Sequence, residues 1–216
     1  MTSNLLKRIL TSSVLLALLF LCLLLNRYSW LTLIIIASII SFFEFNNLIN
    51  KIKKKNNFFK FSANIVCFLY LFFFTYSANE LYKINLNFII IILLACIFSD
   101  VGGYVIGKTV GGKKLTKISP NKTISGSIGS FIFSLFPVIF FFLNYDFKIN
   151  LSLISLLVLC LLTSLTCQIG DLLISFFKRK ANLKDTGSIL PGHGGLLDRI
   201  DGIIFALPSI YIITIL

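Results

Sequence analysis

Residues 9–25 read ILTSSVLLALLFLCLLL, a run without a charge directly behind Lys7 and Arg8. As an α-helix rising 1.5 Å per residue, such a run covers most of a hydrocarbon core about 30 Å thick. Placed at the N-terminus, it has the outline of a secretory signal. No small-x-small cleavage site follows, however, and further apolar runs do, so the expectation is a retained first membrane helix. Reading outward, the same pattern recurs at 28–49, 58–76, 86–107, 124–143, 151–177 and 199–216. The chain is 57% hydrophobic with 23 Phe and only 13% charged residues over 216 positions. One soluble core of that size has no room for so much apolar surface. The expected fold is therefore all-α, a polytopic transmembrane helical bundle of about seven spans. The three N-terminal helices would lie in residues 1–85 and a catalytic membrane region with cytoplasmic loops in 86–216.

The links between these runs carry Lys and Arg unevenly. Alternate links, counted from the N-terminal tail, collect 17 of the 20 basic residues on one face and 3 on the other. The positive-inside rule makes the rich face cytoplasmic and puts the N-terminus inside. The expected location is the inner (plasma) membrane, multi-pass, with the active site facing the cytoplasm. Topology and attraction to anionic lipids explain the net charge of +12, and no nucleic-acid partner is expected. The five cysteines are scattered singly within apolar runs, without metal-ligand spacing, and read as small core residues.

Against this background the acids stand out. Glu44, Asp100 and Asp171 lie inside apolar runs, each four to seven residues from the expected cytoplasmic end, or roughly 6–10 Å deep. A carboxylate facing lipid costs about 2.5–3.5 kcal/mol, so such residues face protein or a wet cavity. The expectation is a polar basin open to the cytoplasm. Gln168, Asp171, Ser175 and Lys178 share one helical face leading into KRKANLKDTGSILPGHGGLLDRIDG, residues 178–202. That loop holds Asp185, Asp198, Asp201 and the only histidine, His193. Asp198 and Asp201, three apart at a helix start, point the same way. One first-turn acid is explained by the helix dipole. Two, with Asp171 aimed at the same basin, call for a cation, and carboxylates without thiolates suit Mg2+ or, alternatively, Mn2+.

The other groups suit anionic oxygens. Lys178, Arg179, Lys184 and Arg199 supply positive charge, while Gly192, Gly194 and Gly195 allow N–H-lined turns. His193 and Asp185 would orient the loop or assist proton transfer. Further upstream, SPNKTISG (119–126) sets Lys122, Thr123, Ser125 and Gly126 before a helix, where a phosphate or simple N-capping fits. Gly103, Gly107 and Gly111, four apart, suit close helix packing as well as they suit a functional role. Together these features read as metal-assisted phosphoryl or nucleotidyl transfer.

The run SFFKRKANLKDTGSILPGHGGLLDRID (175–201) closely resembles the diagnostic motif of the phosphatidate cytidylyltransferase (CDP-diacylglycerol synthase) family. QIGD (168–171), SD (99–100) and ISPNKTISG (118–126) also look like family segments. The resemblance covers roughly residues 99–202 and implies rather more spans than seven. It implies that CTP and phosphatidate give CDP-diacylglycerol and pyrophosphate in phospholipid biosynthesis. It also implies Mg2+, with a second cation, held by Asp171, Asp198 and Asp201, and a homodimer. Two other functions fit parts of the chain. A CTP-dependent polyprenol kinase or CDP-archaeol-type synthase would use similar machinery on another acceptor. An ion transporter would use the intramembrane acids but leave the Lys/Gly/Asp loop without a task.

Overall fold

The computed structural model describes residues 2–52, 56–143, 152–192 and 194–215. Among the described residues the chain forms eight helices and no β-strand: α1 (Thr2–Leu25), α2 (Arg27–Asn50), α3 (Asn57–Ile84), α4 (Leu86–Thr109), α5 (Ile124–Ser134), α6 (Phe136–Leu143), α7 (Leu153–Lys180) and α8 (Leu197–Ile215). Of these, α2, α3, α4 and α7 are long and apolar enough to cross a membrane, and shorter apolar stretches occupy Leu10–Leu25 and Ile124–Ile139. Large side chains such as Leu25, Tyr28, Phe58, Val66 and Phe72 are more than 60% exposed, as lipid-facing side chains would be. The chain is an all-α membrane bundle.

The expected fifth span, 124–143, is two helices rather than one. Pro137 has no N–H to offer the carbonyl of Phe133, and its ring crowds that turn. The helix closes at Leu135, whose N–H bonds Ile132 O at 3.3 Å, and restarts at Phe136. The third helix outruns its apolar stretch, continuing through Glu80 and Lys83 to Ile84 with those two side chains paired at 2.5 Å.

The chain divides into two compact units, Met1–Asn79 with Phe177–Ile200, and Glu80–Phe176 with Asp201–Leu216. The loop after α7 thus belongs with the N-terminal helices, a grouping that the linear division at residue 85 does not contain.

In the first unit, Asn26 turns the chain from α1 into α2 by a reciprocal capping box with Ser29. Helices α2 and α3 run antiparallel, joined by polar contacts along their length. Trp30 Nε1 donates to Ala78 O at 3.1 Å, Ser38 meets Thr75 at 2.9 Å, and Asn64 Nδ2 donates to Asn46 Oδ1 at 2.9 Å. Between apolar helices in lipid, such bonds supply the attraction that hydrophobicity does not.

In the second unit, α4 and α5 meet backbone to backbone. A Cβ added at Gly102 would stand 2.5 Å from Gly129 O, and one at Gly126 would stand 2.8 Å from Gly103 O. Gly103 and Gly107 therefore serve packing. Gly111 does not: it has φ +63° and nothing near its Cβ position, so it belongs to the turn after α4. Helix α7 joins this unit through Ser99–Ser164 at 2.8 Å and a Cys96–Cys167 sulfur contact at 3.0 Å. Gly170 lets α8 approach, its Cβ position lying 2.7 Å from Asp201 O.

Candidate functional site

The first unit holds the motif loop. Helix α7 ends in Lys178, Arg179 and Lys180, then turns out through Asn182 at φ 55°, where asparagine tolerates the left-handed conformation. Leu183 N returns to Lys178 O at 2.9 Å and closes that end. Further on, Leu190 and Gly194 exchange two backbone bonds around Gly192 (φ 79°) and Gly194 (φ 86°). Those two positions need glycine.

Two carboxylates organise this loop. Asp198 Oδ1 takes Lys178 Nζ at 2.7 Å, an ion pair whose side chains are 12% (Lys178) and 5% (Asp198) exposed. Its Oδ2 accepts from Thr186 N at 2.7 Å, Thr186 Oγ1 at 3.0 Å and Gly195 N at 3.2 Å. The second is Glu44 of α2, 3% exposed. It accepts from Leu196 N at 3.0 Å, Leu197 N at 2.8 Å and Thr186 Oγ1 at 3.1 Å. The loop closes on it so tightly that a Cβ at Gly187 or Gly195 would stand 2.5 Å from its carboxylate oxygens. Arg179, Lys184, Asp185 and Arg199 are exposed around this core. His193 lies outside the described residues.

The second unit carries a separate arrangement. Lys122 pairs with Asp171 Oδ2, and Ser175 Oγ donates to Asp171 Oδ1 at 3.2 Å. Lys122 stands at the end of a turn closed by Leu115 N→Lys122 O at 2.8 Å and Ile124 N→Lys113 O at 3.0 Å. Thr123 caps α5, accepting from Gly126 N at 3.0 Å, and meets Ser125 at 3.0 Å, while Ser125 donates to Gly111 O. Gln168 accepts from Ser127 and donates to Ser164 Oγ at 3.3 Å. Asp201 is buried, with Oδ1 bonded to Gly202 N at 2.9 Å, whereas Asp100 is exposed on α4.

Carboxylate oxygens are the donors a hard divalent ion takes, and Asp171 and Asp201 offer them within one unit. Among the described residues, no three His, Cys, Asp or Glu side chains gather closely enough to hold an ion by themselves. The acids expected in one basin have protein partners instead: Glu44 the loop, Asp198 chiefly Lys178 and Thr186, Asp171 Lys122 and Ser175.

Sequence reasoning found the loop residues but not their pairing. Glu44 was legible as a costly intramembrane acid, yet nothing local indicated that its donors lie about 150 residues downstream. Thr186, between both carboxylates, left no signal at all.

Comparison with known proteins adds two findings. Residues 52–216 match the model of the cytidylyltransferase family. The chain is 44% identical over 132 residues to a phosphatidate cytidylyltransferase of Staphylococcus haemolyticus (strain JCSC1435), covering 61% of this chain and 50% of that one. It is 42% identical over 147 residues to the protein of that name from Staphylococcus aureus (strain N315), covering 68% and 54%. With the one from Rickettsia bellii (strain RML369-C) it shares 41% over 138 residues, covering 59% and 58%. The chain spans about half the length of the curated relatives it matches.

Proposed function

Because this chain belongs to the cytidylyltransferase family, we propose that it joins CTP to phosphatidate, giving CDP-diacylglycerol and pyrophosphate at the cytoplasmic side of the cell membrane. A phosphate oxygen of phosphatidate attacks the α-phosphorus of CTP. The bond from that phosphorus to the bridging oxygen breaks, and pyrophosphate leaves with the electron pair. Phosphatidate is already ionised near neutral pH, so no strong base is needed. The difficulty is bringing two polyanions together and stabilising the leaving group, which positioned cations do.

In this reading Lys178, Arg179, Lys184 and Arg199 receive phosphates in the first unit, whereas the N–H groups of Gly194 and Gly195, expected to join them, are taken by Leu190 O and Asp198 Oδ2. Lys122, Thr123 and Ser125 do so in the second. Asp171 and Asp201 are the residues that would hold Mg2+, which would supply positive charge to the triphosphate and the leaving pyrophosphate. Asp198, expected from the sequence as a third cation ligand, instead holds Lys178 within the first unit. Ser175 and Gln168 keep the polar face of α7 aligned, Asp185 and His193 assist the loop, and Asp100 draws cations toward α4. Exposed Lys113, Lys114 and Lys117 suit anionic headgroups.

The observation that supports this reading is that the matched span carries both lysine–carboxylate arrangements, Lys178–Asp198 and Lys122–Asp171. Purified protein with phosphatidate and Mg2+ should move label from α-labelled but not γ-labelled CTP into lipid. Transfer of γ-label would mean a kinase, and label in neither case would refute the reading. Asp201→Asn should abolish this transfer while leaving protein abundance unchanged.

A further inference from the structure

A carboxylate in an apolar helix has to find donors, and Glu44 finds them at the start of α8. A helix leaves its first N–H groups without intrahelical partners, and the usual remedy is a side-chain acceptor just before it. The two residues there are Leu196 and Gly195, which have none. Glu44 fills the vacancy from α2, accepting from Leu196 N at 3.0 Å and Leu197 N at 2.8 Å, and its charge suits the positive end of the helix dipole. The enclosure is specific, since Gly187 and Gly195 leave room for no more than hydrogen beside its oxygens.

Thr186 extends this contact. Its hydroxyl stands 3.1 Å from Glu44 Oε2 and 3.0 Å from Asp198 Oδ2, and a hydroxyl has one proton to give. The two carboxylates therefore share one donor. Asp198 is the one that also holds Lys178. When Lys178 turns to an incoming phosphate, Asp198 loses its charged partner, and the Thr186 hydroxyl can swing to it while Glu44 keeps its two backbone donors.

We propose that Glu44, upstream of the residues matched by the family model, is a positioning residue. It fixes Thr186 and the first turn of α8, and through them sets where Asp198 presents Lys178. This rests on the proposed transfer reaction for its consequence, but not for its geometry.

The test uses full-length protein in detergent or nanodiscs. Glu44→Gln replaces one acceptor oxygen by an NH2 group facing N–H donors. Amide exchange over residues 186–197 should accelerate at least about tenfold while α2, α4 and α7 keep their protection. The turnover parameter kcat/KM for CTP should fall about 10–100-fold, the scale of a misplaced binding group. Combining Glu44→Gln with Lys178→Met should lose much less than the product of the separate losses, because both act through one lysine. Thr186→Val should give a weaker version of these effects and Thr186→Ser should restore wild-type behaviour, so the relay remains testable if Glu44→Gln fails to fold. Wild-type exchange over 186–197 in Glu44→Gln overturns the proposal, as do strictly multiplicative losses with Lys178→Met. Should Glu44→Gln fail to fold, wild-type exchange in Thr186→Val overturns it. Exchange needs no CTP, so it still decides the part played by Glu44 if wild-type protein turns over no CTP.

Discussion

Lys178 and Asp198 sit largely out of water, their exposures 12% and 5%, and that burial sets the consequence of separating them. Removing one partner of a buried pair leaves an uncompensated charge, at about 3–5 kcal/mol. Lys178→Met should therefore lower the thermal midpoint in detergent by roughly 6–20 °C, and adding Asp198→Asn should recover most of it. A double variant no more stable than Lys178→Met would show that the pair contributes through something other than charge. Sequence alone identified both residues, because a basic cluster beside paired acids is conspicuous in so apolar a chain. It missed that they bond each other, since the loop path bringing residue 198 back to residue 178 depends on Asn182, Gly192 and Gly194 adopting positive φ together.

At the scale of elements, the crossing of α4 on α5 is set by missing side chains. A Cβ at Gly129 would stand 2.5 Å from Ile106 Cβ. Gly129→Leu should destabilise by about 1–3 kcal/mol or more as the helices are forced apart. Ile128→Leu, one position away and 55% exposed, should be neutral, both read as detergent melting midpoints. The long apolar helices were legible because twenty hydrophobic residues in a row have few other fates. The break between α5 and α6 was not, because a hydropathy reading registers how greasy residues 124–143 are and not that Pro137 lacks an N–H. Helix ends were missed for the opposite reason: α3 and α7 continue past the apolar stretch, since a hydrogen-bonded ladder has no need to stop at the membrane surface.

Over the whole molecule, basic residues alternate between links, and this gives an expectation for sidedness. In a variant with the native cysteines replaced, Tyr28→Cys should react with a membrane-impermeant maleimide in intact cells. Lys113→Cys should react only after the membrane is opened. The reverse pattern would invert the orientation. The two-unit grouping, with residues 177–200 joined to the first 79, was not legible at all. It includes the bonds from Leu196 and Leu197 to Glu44, a matter of three-dimensional bonding that neither periodicity nor charge counting addresses.

That grouping also has a temporal side. The ribosome makes Glu44 about 150 residues before it makes the amides that cap it. At roughly 5–20 residues per second, α2 waits on the order of 8–30 seconds with an unsatisfied acid in a newly inserted hairpin. During that interval the nascent chain has to keep the carboxyl group at the lipid–water boundary or sheltered by the insertion machinery. A product truncated before residue 196 would lack both backbone donors to Glu44 for good.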